Sequence, residues 1–242
     1  MSLALKESPG RWLWPFLAVL GVLWAIIFLQ LSLEWRVNDL YNYGSAIPFL
    51  ALYLFYFERW PTRPPPGQPR ARGLVLAAAC GLLLIFFPLR LIQEANPDWI
   101  LLSWTFTTIG VLLTLMALYA VGGLRWMLFF AFPVLFVYTA VPWPAQVEDS
   151  ILQNLMLAQA FLSAESMTWA GIPALQEGNV ILINGNRVGV DEACSGFRSL
   201  QTAFMMSFFF GEFYRLLIVE RVFLVLSSFA LAFVFNFGRT LT

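Results

Sequence analysis

Long apolar runs recur along this chain from end to end, and they constrain its fold more than any other feature. A helix needs about 20 apolar residues to cross the ~30 Å hydrocarbon core of a bilayer. Runs of that order lie at Trp12–Leu31, Tyr43–Phe57, Gly73–Ile92, Ile100–Val121, Met127–Trp143, Ala193–Gly211 and Val222–Gly238. The second and fifth are short, and are expected to be tilted, extended or partly re-entrant. Inside lipid a spanning segment must satisfy its own backbone N–H and C=O groups, so these runs predict helices. Composition agrees: of 242 residues 60% are hydrophobic and only 12% charged. The expected fold class is an all-α polytopic membrane protein, a bundle of about seven transmembrane helices forming one integral membrane domain over residues 1–242. Lys6 and Arg11 precede a first apolar run too long for a cleavable signal, with no small-residue cleavage site after it, so that run is expected to remain as an anchor.

Charge sets the orientation. The 14 basic and 14 acidic residues cancel, which gives nucleic acid no bulk attraction. With a cytoplasmic N-terminus, the inner side collects Lys6, Arg11, Arg59, Arg63, Arg70, Arg72, Arg125, Arg215 and Arg221, leaving Arg36, Arg90, Arg187, Arg198 and Arg239 outside. That is the positive-inside pattern. Its strongest contribution is the Pro/Arg-rich stretch 58–72, expected to be an extended cytoplasmic tether. Residues 144–192 then fall on the outer face of the membrane.

Two elements are expected in that outer segment. Val147, Ile151, Leu155, Ala158 and Leu162 recur at helical spacing with polar residues between them, predicting an amphipathic helix that seals the bundle or guides a substrate. Asn184-Gly185, flanked by the β-branched runs Asn179–Ile183 and Asn186–Val190, predicts a type I′ hairpin. A lone hairpin is marginal in water, so it must rest on the helices. The chain has no histidine, and its two cysteines make a poor metal site, so neither a metal nor any other cofactor is expected.

The hairpin runs into "DEACSGFRSL". Cys194 is expected where the sixth helix begins, and there the helix dipole favours a thiolate. Arg198, four residues on, is expected on the same helical face, while Asp191 and Glu192 oppose the effect. Gly196 permits close approach of another backbone. Cys80, inside the apolar "AAACGLLL", is expected to pack in its helix and lies too far along it to pair with Cys194. An unpaired outer thiol is a liability that favours a functional reading over simple packing. Arg239, at the outer end of the last run, could meet Cys194 if the sixth and seventh spans pack as neighbours.

"VGVDEACSGFRSLQ", followed by "GEFYRLL" and then by "FNFGRT", resembles the exosortase/archaeosortase family, and its wording is nearest the bacterial exosortases. The resemblance implies a membrane cysteine peptidase or transpeptidase with Cys194 as nucleophile and Arg239 as its charged partner. Ser195, Gly196, Arg198 and Asn236 are the supporting residues. It implies as partners the lipid bilayer and exported proteins that carry a C-terminal sorting signal of PEP-CTERM type: a Pro-Glu-Pro motif, a membrane helix and a basic cluster. Such a family also implies a histidine after the arginine helix. The expectation is a reading frame that continues past Thr242 through a loop bearing that histidine into an eighth span, with the 242-residue chain itself turning over poorly. Nothing within the chain substitutes for that histidine; Tyr138, Asp191 and Glu192 are the nearest outer-side titratable candidates. A relative that binds sorting signals without cleaving them stays open as the alternative, and a transporter ranks behind both, since Arg90 alone comes near a span interior.

Overall fold

The computed structural model describes residues 13–69, 72–96, 99–190 and 195–241. Helix α1 (Leu13–Val37) leads through Asn38, whose side chain accepts from the Leu40 N–H at 3.0 Å, into a 3-10 helix over Asp39–Ala46. Helix α2 (Ile47–Tyr53) continues into a π-helical turn, Leu54–Arg59. Then follow α3 (Arg72–Ala95), α4 (Ile100–Leu135) with a 3-10 extension to Ala140, and α5 (Ala145–Trp169). Strands β1 (Ala174–Glu177), β2 (Val180–Ile183) and β3 (Asn186–Gly189) precede α6 (Phe197–Phe213) and α7 (Ile218–Leu241). Among the described residues four helices are long and apolar enough to cross a membrane: Ala18–Val37, Gly73–Ala95, Ile100–Ala140 and Ile218–Thr240. The expected second span is divided among three helix types, and α6 has 17 residues.

The third candidate is 41 residues long, about twice what one crossing needs. It is broken at Gly123, whose φ of 68° and ψ of −168° lie outside helical space. The break falls between the two runs expected at Ile100–Val121 and Met127–Trp143.

The elements gather into two compact units, Met1–Glu34 with Ala51–Val141, and Trp35–Leu50 with Pro142–Thr242. The first is cemented by aromatic rings. Phe130, fully buried, stacks on Phe55 at 4.5 Å and meets Trp60 and Trp126 at 6.0 Å. The stretch 58–72 is more than a tether. The Trp126 indole donates to the Pro64 carbonyl at 2.8 Å, and the Gly67 N–H donates to the Gly122 carbonyl at 2.8 Å. The helix break frees that carbonyl, and the loop uses it. Arg59 donates to the Phe129 carbonyl and lies 4.9 Å from its ring. Cys80 is a free thiol exposed on α3, contrary to the packed position expected of it. Small, apolar α3 presents that face outward, as a lipid-facing helix does.

The second unit holds the sheet, antiparallel in the order β1-β2-β3. The expected hairpin is present, with Asn184 at φ 50° and Gly185 at φ 83° as a type I′ turn requires. A third strand joins it: β1 pairs with β2 through the two-residue turn Gly178-Asn179, with Gly178 at φ 64°. The sheet rests on α5, where Ala160 and Ala164 pack against Ile181 and Val190. That corrects the expected apolar stripe. Val147 is exposed, and the buried face of α5 is Gln159, Ala160, Ser163 and Ala164. Small side chains let strands lie close to the helix where larger ones would hold them off.

Gly123→Ala should destabilise the protein by about 2 kcal/mol or more, because its backbone region is essentially glycine-only. A Cβ there would also stand 3.2 Å from the Gly67 carbonyl carbon. Gly21→Ala, in an open helical position with nothing within 4 Å, should be neutral or slightly stabilising. Denaturant unfolding in detergent checks both; equal effects would remove Gly123 as the cause of the break.

Candidate active site

Helices α6 and α7 form an antiparallel hairpin, and its closure can be followed bond by bond. At the turn, Arg215 adopts φ 51°, its N–H donates to the Glu212 carbonyl at 3.0 Å, and the Leu216 N–H reaches the Gly211 carbonyl at 3.0 Å. This is the Schellman arrangement with arginine in the place glycine usually takes. Arg221 Nη1 then pairs with Glu212 Oε2 at 3.0 Å, where Glu212 is 5% exposed. Further along, Ser207 Oγ donates to Ser228 Oγ at 2.9 Å, and Phe204 faces Phe229 at 5.9 Å.

The open end of the hairpin carries the motif residues. Gly196 caps α6 at φ 80° and ψ 5°, a left-handed conformation that disfavours any side chain. A Cβ on it would lie 2.8 Å from Asn236 Cγ. The approach foreseen at this glycine is therefore made by a buried asparagine side chain. Ser195, 1% exposed, accepts the Phe197 N–H at 3.1 Å through its hydroxyl. Arg239 sits three residues beyond Asn236 in the last turn of α7, exposed, where a cation suits the negative end of the helix dipole.

Cys194, Asp191 and Glu192 lie outside the described residues. The helix start expected at Ala193 is Phe197, because left-handed Gly196 cannot continue a helix backward. Arg198, in the first turn of α6, pairs with Asp39 Oδ2 at 3.3 Å on the surface. Tyr138 is committed elsewhere: its hydroxyl donates to Thr108 Oγ1 at 2.9 Å and its ring stacks on Trp104. Arg239, Asn236, Gly196 and Ser195 are brought to one end of the hairpin; Arg198 points away to its own partner.

A polar cluster beneath the first turns of α6 was not foreseen. Tyr41, fully buried, donates its hydroxyl to Glu148 and accepts the Trp143 N–H at 2.8 Å. Burial pushes its phenol far above the usual range and the Glu148 carboxylate adds to that, while the Trp143 N–H works the other way. Tyr41 is thus a neutral donor at any ordinary pH. Gln201 lies beside the same hydroxyl and is 1% exposed, yet neither of its amide atoms makes a hydrogen bond among the described residues. Trp143 meets Phe197 edge-on at 5.7 Å, tying the cluster to the start of α6. The sequence signal was slight: a tyrosine and a glutamate in separate elements, 107 residues apart. On the far side, Gln159 of α5 reaches toward the Phe233 carbonyl of α7 at 3.5 Å. Among the described residues no group of three His, Cys, Asp or Glu could hold a metal ion.

The sequence profile of the transmembrane exosortases matches residues 35–242. The chain belongs to the transmembrane exosortase family. The match covers the 3-10 helix that carries Tyr41 and every motif residue of the α6–α7 hairpin. No curated protein and no solved structure matches the chain.

Gly196→Ala in this exosortase should cost about 1–2 kcal/mol for the left-handed backbone alone, and more for the collision with Asn236. Adding Asn236→Ala should return part of the steric cost and leave the backbone part. Unfolding midpoints of the two single variants and the double variant measure this. Strictly additive costs would mean that the two residues do not touch.

Proposed function

We propose that the chain is a membrane cysteine peptidase or transpeptidase that cleaves C-terminal sorting signals of PEP-CTERM type from exported proteins. The observation that carries the reading is the contact of Gly196 with Asn236 within an exosortase-family chain. Along the hairpin, Glu212 pairs with Arg221, Phe204 with Phe229 and Gly196 with Asn236, so each step back on α6 is matched by a step forward on α7. Three residues beyond Asn236 that register reaches Arg239, at the end of the hairpin that also carries Ser195.

In this reading the Cys194 thiolate attacks the carbonyl carbon of the scissile peptide. The tetrahedral oxyanion is stabilised by Arg239. Collapse breaks the C–N bond, leaves a thioester on Cys194, and releases an amine that takes up a proton. An amine or water then attacks the thioester and frees the thiol. Seven spans, a cytoplasmic N-terminus and a site on the outer face complete the proposed arrangement, which lets a substrate's membrane helix dock laterally. A second reading, a relative that holds sorting signals without cleaving them, would use the same hairpin without the covalent step.

Cys194→Ala and Cys194→Ser should both abolish processing of a PEP-CTERM reporter in cells. Arg239→Lys should lower it about 10²-fold or more, since lysine keeps the charge but loses the planar fork. Processing by Cys194→Ala at the wild-type rate would remove the nucleophile, and co-purification of an uncleaved reporter with the wild type would favour the binding reading.

Orientation has its own check. A membrane-impermeant thiol reagent applied outside intact cells should label Cys194 and leave Cys80, which lies within an apolar candidate span, untouched. Labelling of Cys194 only after the inner membrane is opened would reverse the topology.

A further inference from the structure

Away from the motif, the first unit has a cavity of about 200 Å³ where α1 and α3 end and α4 begins. That is far more than the ~10–15 Å³ that admits one water. Its lining is unlike the rest of the unit: Glu34 from α1, Arg90, Gln93 and Glu94 from α3, and Ser103 from α4. Arg90 Nη1 donates to Gln93 Oε1 at 2.6 Å and Nε lies 3.9 Å from Glu94 Oε1. Gln30 joins the wall by donating to Ser103 Oγ at 3.3 Å. Gln93 is only 6% exposed, and its amide nitrogen has no hydrogen-bond partner among the described residues.

We propose that this cavity binds the phosphoethanolamine headgroup of a bilayer lipid. Two carboxylates stand against one guanidinium, and of the helix ends at the cavity the C-termini of α1 and α3 are negative and the N-terminus of α4 positive, so the balance favours a cation. The guanidinium and the unused Gln93 amide offer donors to a phosphodiester a few ångströms away. A ligand with both charges answers both halves of the wall. Depth decides between a free and a lipid-borne group. Three candidate spans, Ala18–Val37, Gly73–Ala95 and Ile100–Ala140, have their ends at this level, where headgroups lie. Leu29, Leu33, Phe87 and Leu91 are all more than 60% exposed beside it, giving acyl chains an apolar surface. A primary ammonium can donate to Glu34 and Glu94; the quaternary ammonium of phosphatidylcholine cannot, and phosphatidylglycerol brings no cation.

The test is native mass spectrometry of the purified 242-residue chain with equimolar phosphatidylethanolamine, phosphatidylcholine and phosphatidylglycerol. Phosphatidylethanolamine should be retained about tenfold over the other two. Glu34→Gln with Glu94→Gln should bring it down to the phosphatidylcholine level, and Arg90→Ala should lower retention of all three. Glu94 is two-thirds exposed, so Glu94→Gln alone is a variant whose effect a folding defect does not explain, and it should lose part of the preference. Equal retention of the three lipids, or an unchanged preference in the double glutamine variant, would overturn the proposal. Displacement of all bound lipid by soluble O-phosphoethanolamine at equal concentration would support the headgroup chemistry and overturn the bilayer as its source.

Discussion

The absence of a side chain at Gly196 is what lets the motif assemble. The α6–α7 hairpin is fixed at its closed end by a capped turn and the Glu212–Arg221 pair, but a hairpin held at one end can splay at the other. It is held at the open end because Asn236 fills the space where a Cβ would be. The same glycine caps the start of the helix, so one residue sets both the helix start and the interhelical distance at the open end. Breaking a largely buried ion pair costs about 3–5 kcal/mol. That is the scale of the constraint at the turn, and the open end adds the fit of Asn236 over Gly196.

Periodicity and turn chemistry were the legible parts of this sequence. The apolar runs found the long helices, and Asn184-Gly185 found its turn to the residue because φ > 0 at two successive positions admits few side chains. The strand β1 was missed although Gly178-Asn179 also makes a two-residue turn, with φ > 0 at the glycine alone, because "ALQE" has neither β-branching nor alternation. The α5 stripe was misread for a related reason. Hydrophobicity alone favours Val147 and Ile151, while close packing against a sheet favours alanine and serine, and only the partner reveals which applies. The start of α6 was set four residues early, because a glycine inside an apolar pattern does not announce a left-handed backbone. Of the site, Asn236, Gly196 and Arg239 were readable as a motif, whereas the pairing of Tyr41 with Glu148 is a long-range contact that no local pattern encodes.

The two units reach their packing by different chemistry. Phe55, Trp60, Trp126 and Phe130 give the first a core of large rings, each contributing through area and edge-to-face contact. In the second, the buried positions include Gln159, Ser163, Ser195, Gln201, Glu212 and Asn236. An unsatisfied buried polar atom costs about 1–3 kcal/mol. Among the described residues Gln159 Oε1, Ser163 Oγ and both amide atoms of Gln201 are in that state. Burial alone would not select such residues, since alanine or leucine would pack these helices at less cost. Gln159, Ser195, Gln201 and Asn236 lie toward the end of the hairpin where Gly196 meets Asn236, while the apolar window of α7 has none of its residues buried. A helix of that kind is suited to lipid outside and polar partners inside. Peptide-bond chemistry within a bilayer needs this division, because a substrate backbone leaving water must find its hydrogen bonds in the protein.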